Sequence, residues 1–171
     1  VGEKNIWVEI NDLSRDYQAV DMAEGFANYI SYEPLSKNVQ EISQENDWRN
    51  YQYTRNEGHL RLVKAITKYY EKEFDRDINP LDQVLITVGA YGSLHNAFSS
   101  LIEQNDEVIL IEPFFDCFEP MVKIAGGKCV YVPLTYHSCE KDQTTVTTAA
   151  EWILNEKDLR AAFSSKTKLI V

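Results

Sequence analysis

Apolar residues follow two rhythms along this chain. From residue 60, Val63, Ile66, Tyr70 and Phe74 recur at spacings of three and four, with Leu62 and Tyr69 beside them. That spacing lines one face of an amphipathic helix. Asn79-Pro80 closes it, because proline cannot continue a helix. Short continuous runs then take over. Residues 84–88 (VLITV) read as a strand, 89–92 (GAYG) as a tight loop, and Leu94, Ala97, Phe98, Leu101 and Ile102 as a helix face. After a turn at Asn105-Asp106, residues 108–111 (VILI) give a second strand, broken by Pro113. Residues 116–125 read as a short helix stopped by Gly126-Gly127, and 129–132 (CVYV) as a third strand. The polar, Thr-rich stretch 135–150 reads as a loop. Asn155 caps a helix running to about Phe163, and 169–171 form a last strand.

Strand and helix alternate with short connections, and the strands are continuously apolar. Both facts predict an α/β fold, a three-layer sandwich whose mostly parallel sheet is covered on two faces. In such sheets ligands sit beyond the carboxyl ends of the strands. The first fifty residues carry scattered aromatics (Trp7, Tyr17, Phe26, Tyr29, Tyr32, Trp48) and no strong period beyond a helix near 35–45. We expect an N-terminal arm over 1–50 ahead of a body over 51–171.

Composition narrows the function classes. The 171 residues are 44% hydrophobic and 26% charged, a globular makeup rather than a disordered one. Lys plus Arg number 17 and Asp plus Glu 27, a net charge of −10. A uniformly acidic chain does not attract phosphate backbones or anionic bilayers, so neither nucleic acid nor membrane is expected as a partner. No apolar run approaches the roughly 18–20 residues of a membrane span. Glu3, Glu9, Asp12 and Asp16 occupy the start, so no signal peptide is expected there. Cys117, Cys129 and Cys139 are odd in number and form no CxxC, which argues against a disulfide framework and for a reducing compartment.

The loop Gly89-Ala90-Tyr91-Gly92-Ser93 lies between a strand and a helix. Its glycines let backbone approach a phosphate, and the helix start offers unpaired amides. It matches neither GxGxxG nor the P-loop, so spacing alone leaves an ordinary strand-to-helix turn open. Tyr91 and Phe114-Phe115 fall at the carboxyl edge of the expected sheet. Rings there can stack on a flat ligand, although closing the core edge is the better reading from position alone. The turn Tyr51-Gln52-Tyr53-Thr54-Arg55 has hydroxyl and guanidinium donors for an anion, or is simply a structured loop. His59, His95 and His137 share no ligand spacing, so no metal site is expected. Cys117 reads as a buried structural thiol. Two Ser-x-x-Lys pairs, Ser138 to Lys141 and Ser165 to Lys168, read as surface lysines.

Taken together, these fragments resemble the fold-type I, pyridoxal-phosphate-dependent aminotransferases, and most of all the kynurenine (glutamine) aminotransferase and cysteine-S-conjugate β-lyase group. The matching pieces are Trp7-Val8-Glu9, Glu24-Gly25-Phe26, Gln52-Tyr53-Thr54-Arg55 with Gly58-His59, 84–94 (VLITVGAYGSL), 106–120 (DEVILIEPFFDCFEP) and Ser165-Lys166-Thr167-Lys168. They keep the family's order and span nearly the whole chain.

The resemblance implies a pyridoxal 5'-phosphate cofactor and roles for six residues. Backbone amides around Ala90 and Tyr91 would hold the cofactor phosphate, and Phe115 would stack on its ring. Tyr53 would reach the phosphate of the other subunit's cofactor, implying a homodimer with shared sites. Gly25 and Trp7 would line the substrate pocket. The substrates would be an amino acid and a 2-oxo acid, with β-elimination from a cysteine conjugate as a side path. A cytoplasmic location is expected, with the mitochondrion left open. Where the family has Gly-Gln-Gly-Phe-Pro this chain has Ala23-Glu24-Gly25-Phe26-Ala27, and a carboxylate at Glu24 bears on substrate choice. Asn56-Glu57 also departs from the family's small or aromatic residues. Family members are more than twice as long, and their Schiff-base lysine follows the point matching Val171. The expectation is therefore an arm and small-domain segment over 1–50, and the first part of a truncated cofactor-binding large domain over 51–171. No catalytic residue is expected within this chain, which alone would be inactive. Two other readings remain at this point: a non-catalytic short form that binds full-length subunits, and a nucleotide-binding doubly wound domain.

Overall fold

The computed structural model describes residues 5–22, 25, 29–137 and 148–171. The chain divides into two compact units, Val1–Tyr53 and Thr54–Val171. The first unit holds two helices. In α1 (Ile6–Asp16), the Asn5 side chain accepts the Trp7 amide at 2.8 Å and so caps the start. Sequence reading missed this helix. Ile6, Ile10, Leu13 and Tyr17 do keep helical spacing, but interleaved polar residues dilute it. α2 (Glu33–Gln44) is the helix expected near 35–45, with Pro34 in its first turn where no amide is needed. A 3-10 turn, Trp48–Tyr51, follows; Asp47 caps it by accepting the Arg49 amide at 3.0 Å.

The second unit runs α3 (Leu60–Phe74), α4 (Gly89–Leu101), β1 (Glu107–Glu112), α5 (Phe118–Ile124), β2 (Lys128–Tyr136), β3 (Trp152–Leu154), α6 (Glu156–Ala161) and β4 (Thr167–Ile170). The sheet order is β3-β2-β1-β4. β1 pairs in parallel with both β2 and β4, placing Val108 opposite Cys129 and Leu169. β3 pairs antiparallel with β2. The mixed α/β architecture with a mostly parallel sheet is the one the alternating pattern predicts.

β1 is the centre of the core. Val108 and Leu110 point to one face of the sheet and Ile109 to the other. All three are fully buried, so this strand is covered on both sides. On the Val108 and Leu110 side, Phe98 and Ile102 at the end of α4 and Val122 of α5 complete the buried cluster. Full burial of each such side chain is worth about 1.5–3 kcal/mol. α6 starts as expected at Asn155, whose side chain accepts the Lys157 amide at 3.0 Å.

Three expectations need correction. Residues 84–88 do not form a strand. A β-branched run becomes a strand only beside another strand's edge. Among the described residues no strand ladders with this segment. Its backbone is held instead by the Ile86 amide donating to the Glu57 carbonyl at 2.9 Å. Second, the expected loop 89–92 is already the first turn of α4. Third, the stretch 135–150 is not all loop. β2 continues to Tyr136, and a 3-10 turn (Ala149–Glu151) leads into β3, where Trp152 packs on Tyr136 at 5.4 Å between ring centroids. Ser138, Cys139 and Lys141 lie outside the described residues, as do Ala23, Glu24, Phe26 and Ala27.

The turn before α3 fixes segment 84–88 from the side. Arg55 Nη2 donates to the Leu81 carbonyl at 3.1 Å and pairs with Glu57 at 3.2 Å. Gly58, at φ +118°, lies so close to Ile86 that a Cβ there would sit 2.3 Å from Ile86 Cγ1. Gly58→Ala therefore forces the turn away from Ile86, at an expected cost of about 1–3 kcal/mol. Leu110→Ala opens a cavity in the middle of the core and is expected to cost about 2–5 kcal/mol. Urea unfolding followed by circular dichroism measures both. A Leu110→Ala loss below that of an exposed control such as Leu85→Ala would contradict the placement of the core on β1.

Candidate functional site

α4 begins where the backbone turns over at Gly89. Its φ of +72° lies in the left-handed region, which costs a residue with a Cβ about 1–2 kcal/mol. The Gly89 amide donates back to the Thr87 carbonyl at 3.0 Å. Thr87 fastens the turn from the side. Its hydroxyl donates to the Gly89 carbonyl at 3.0 Å and meets the Ser93 hydroxyl at 2.5 Å. Val88 occupies the cap position, and no side chain caps the helix there. The amides of Ala90 and Tyr91 stand in the first turn, where the helix has no preceding carbonyl to accept them. Both residues are exposed. The aligned peptide dipoles add partial positive charge at this end, so the turn suits a phosphate.

The carboxyl end of β1 delivers the second half of the site. The chain passes through a cis peptide at Glu112-Pro113 and presents Phe114 and Phe115. Phe115 is 45% exposed, and its ring meets the Tyr91 ring edge-on at 5.9 Å. Phe115 also packs edge-on to Phe118 at 6.2 Å, and Phe118 in turn packs on Phe98 of the core at 6.5 Å. A half-exposed ring is thus backed by a partly buried one, Phe118, and that by the buried Phe98. This answers the alternative of simple edge closure for Phe114, which is partly buried against Phe118 and Tyr131. Phe115 keeps an open face.

The Tyr91 hydroxyl and the Cys117 thiol each bear on the other's ionisation. Burial pushes the Cys117 thiol up, and the Asp116 charge adds to this against the opposing influence of the Tyr91 hydroxyl. Tyr91 is also raised, first by withdrawal of its hydroxyl from water and then by Cys117 and Asp116. Its ring is nonetheless half-exposed. Both groups are therefore neutral at pH 7, and Cys117 is a buried, weakly reactive thiol as its sequence context predicts. The corner offers backbone amides, aromatic faces, a hydroxyl and a thiol. It can bind and orient a flat anionic molecule, but these groups include no amine and no paired carboxylates.

The structure thus brings together Ala90, Tyr91 and Phe115 from two elements. Tyr53, Gly25 and Trp7 belong to the first unit. Tyr53 is fully exposed at its end. Gly25 has open space where a Cβ would stand. Trp7 is half-buried in the first turn of α1. His59 caps α3, its Nδ1 accepting the Arg61 amide at 3.3 Å, and His95 lies exposed on α4. Among the described residues no His, Cys, Asp and Glu side chains cluster as a metal site. No helix among them is long and apolar enough to cross a membrane. Sequence reading missed the ring contact between Tyr91 and Phe115, because nothing in the spacing shows that α4 and the chain after β1 converge.

Comparison with known proteins agrees with this geometry. A family model for aminotransferase class I and II matches residues 19–171. Kynurenine–oxoglutarate transaminase 3 of Bos taurus is 40% identical over 169 residues, covering 99% of this chain and 36% of that protein. Kynurenine–oxoglutarate transaminase 1 of Homo sapiens is 35% identical over 167 residues, covering 98% of this chain and 39% of that protein. The chain therefore spans well under half the length of these curated relatives. Among solved structures, Bna3p of Saccharomyces cerevisiae, itself proposed to be a kynurenine aminotransferase, superposes with a TM-score of 0.85 at 28% identity. It covers 98% of this chain and 40% of that one. N-succinyldiaminopimelate aminotransferase of Mycobacterium tuberculosis gives a TM-score of 0.79 at 28% identity, with 98% and 40% covered. With a matching family model over residues 19–171, relatives up to 41% identical over 99% of its length and solved structures of the same fold, the chain belongs to the class I and II aminotransferases, a pyridoxal-phosphate-dependent family.

Proposed function

We propose that the complete protein transfers an amino group between an amino acid of the kynurenine or glutamine type and a 2-oxo acid, with pyridoxal phosphate as cofactor. The observation that carries this reading is the meeting of an uncapped helix start with a half-exposed phenylalanine at the carboxyl edge of a parallel sheet. It occurs in a chain that aligns over 99% of its length with a kynurenine–oxoglutarate transaminase.

The residues present fit the cofactor. Its phosphate needs donors, and the amides of Ala90 and Tyr91 supply them at the positive end of α4. Its ring needs a flat apolar face, and Phe115 supplies one. Tyr91 and Cys117 stay neutral, so neither repels the phosphate. Bound there, pyridoxal phosphate supplies the electron sink that amino-group transfer requires. This chain's own residues bind the phosphate, stack the ring and shield one of its faces from water. The lysine that would carry the cofactor and move the α-proton is proposed to lie outside these 171 residues, because the corner offers no amine.

The remaining roles follow the same family reading. Tyr53, at the exposed end of the first unit, reaches the cofactor phosphate of a second subunit in a homodimer. Gly25 and Trp7 contact the substrate. β-Elimination from cysteine S-conjugates accompanies transamination.

Two outcomes are expected. In isothermal titration, the 171-residue chain binds 4-deoxypyridoxine 5'-phosphate, which has the ring and phosphate but no aldehyde. Ala90→Pro removes one amide at a helix position that tolerates proline, and weakens binding roughly tenfold or more, since hydrogen bonds to charged groups contribute about 1.5–3 kcal/mol. Equal binding by Ala90→Pro, with its helix content intact, would remove the amide cradle. In a coupled assay with kynurenine and 2-oxoglutarate, the complete gene product transaminates and this chain alone does not. Turnover by the chain alone would show that it already contains the missing amine.

A further inference from the structure

Phe115 stands shortly after β1 and is 45% exposed. A phenylalanine in such a connection has several staggered rotamers open to it, and a stacking face has to keep one of them. The next aromatic residue along the chain, Phe118, has no role in the reading above, yet its contacts bear on that choice. It opens α5. Its amide donates to the Phe115 carbonyl at 3.1 Å and so closes the turn between the two residues. Its ring meets Phe115 edge-on at 6.2 Å with planes at 71°. The same ring packs edge-on to Phe98 at 6.5 Å and lies nearly parallel to Phe114 at 6.5 Å. Phe98 is 3% exposed on α4, and Phe114 stacks in turn on Tyr131 of β2 at 6.0 Å. Phe118 is thus tied to the core through α4 and to the sheet through Phe114.

We propose that Phe118 is a positioning residue of the ring pocket: anchored on Phe98 and Phe114, and joined to Phe115 by both backbone and ring, it sets the orientation in which Phe115 meets a flat ligand. The inference rests on the proposed cofactor reading and deepens it at the ring end alone. Gly89 and Thr87 fix the amide cradle at the start of α4, whereas Phe118 touches that helix at Phe98, nearer its other end. An aromatic side chain suits the task. Contacts between rings favour particular angles, a preference that an aliphatic side chain of similar size does not impose.

The separation between ring and phosphate makes the test. The probes are 4-deoxypyridoxine 5'-phosphate and inorganic phosphate, titrated calorimetrically against the chain and its Phe118→Leu, Phe118→Met and Phe118→Tyr variants. Leu and Met keep an apolar side chain in the wall and remove the ring, and Tyr keeps the ring. Phe118→Leu is expected to weaken the ring-bearing probe about three- to tenfold, the range of one lost aromatic pair. Its affinity for inorganic phosphate stays within twofold. Phe118→Tyr restores most of the loss. Added to Phe115→Leu, Phe118→Leu costs the ring-bearing probe nothing further, as a residue acting through Phe115 requires. At saturation, the induced circular dichroism of the probe's pyridine band shrinks in Phe118→Leu, because the bound ring is held less firmly. Far-ultraviolet circular dichroism checks that the fold is kept. If Phe118→Leu does not fold, Phe118→Met carries the same expectations, and collapse of both would make Phe118 a core residue and overturn the inference. Unchanged affinity for the ring-bearing probe, or an equal loss for both probes, would overturn it as well and leave the amide cradle standing. Failure of the unsubstituted chain to bind either probe would remove the cofactor reading, and the positioning role would fall with it.

Discussion

Everything at this site hangs on the burial of one strand. β1 is bonded on both edges and covered on both faces, and its three central residues have lost all contact with water. Parallel pairing demands such coverage, because crossover helices lie against the sheet. The helix that precedes β1 and the loop that follows it are therefore anchored to the same core. The end of α4 enters the cluster through Phe98 and Ile102, and the loop packs against it through Phe114. Once the core is closed, the start of α4 and the end of β1 meet without further machinery.

That meeting divides the labour of binding between two kinds of group. Backbone amides carry no sequence identity of their own, so the phosphate end depends on where the helix starts. Gly89 and Thr87 set that start, one through its torsion and the other through its hydroxyl. The ring end depends on side chains. Phe115 and Tyr91 are restrained by a succession of edge contacts that runs through Phe118 back to the buried Phe98. Preorganised donors and a preset aromatic face lower the ordering cost of binding.

Much of this was legible in the sequence. The 3–4 spacing of Val63, Ile66, Tyr70 and Phe74 is α3, the run 108–111 is the core of β1, and Asn155 caps α6. The candidate residues Ala90, Tyr91 and Phe115 could be named because short strands place their following residues at a common edge. Other features were hidden for physical reasons. Segment 84–88 has a strand's composition, but pairing is a property of the neighbour and not of the run. α1 keeps a helical period, yet polar residues on its other positions mask it. The ring contact of Tyr91 with Phe115 is tertiary, and no local pattern encodes the convergence of a helix start with the chain after a strand.

Segment 84–88 carries one last consequence. It leads directly into α4, and Val88 just before the helix is 96% exposed. No ladder among the described residues holds it; the Ile86 amide bond, the grip of Gly58 and the bonds of Thr87 to Gly89 and Ser93 do. By the measures of local cooperativity it belongs to the low-stability end of the molecule. The anion cradle thus stands on a stretch held outside the sheet. Its measured affinity is the intrinsic one reduced by the fraction of molecules in which this stretch is in place. Whatever secures 84–88 will tighten the phosphate without touching it.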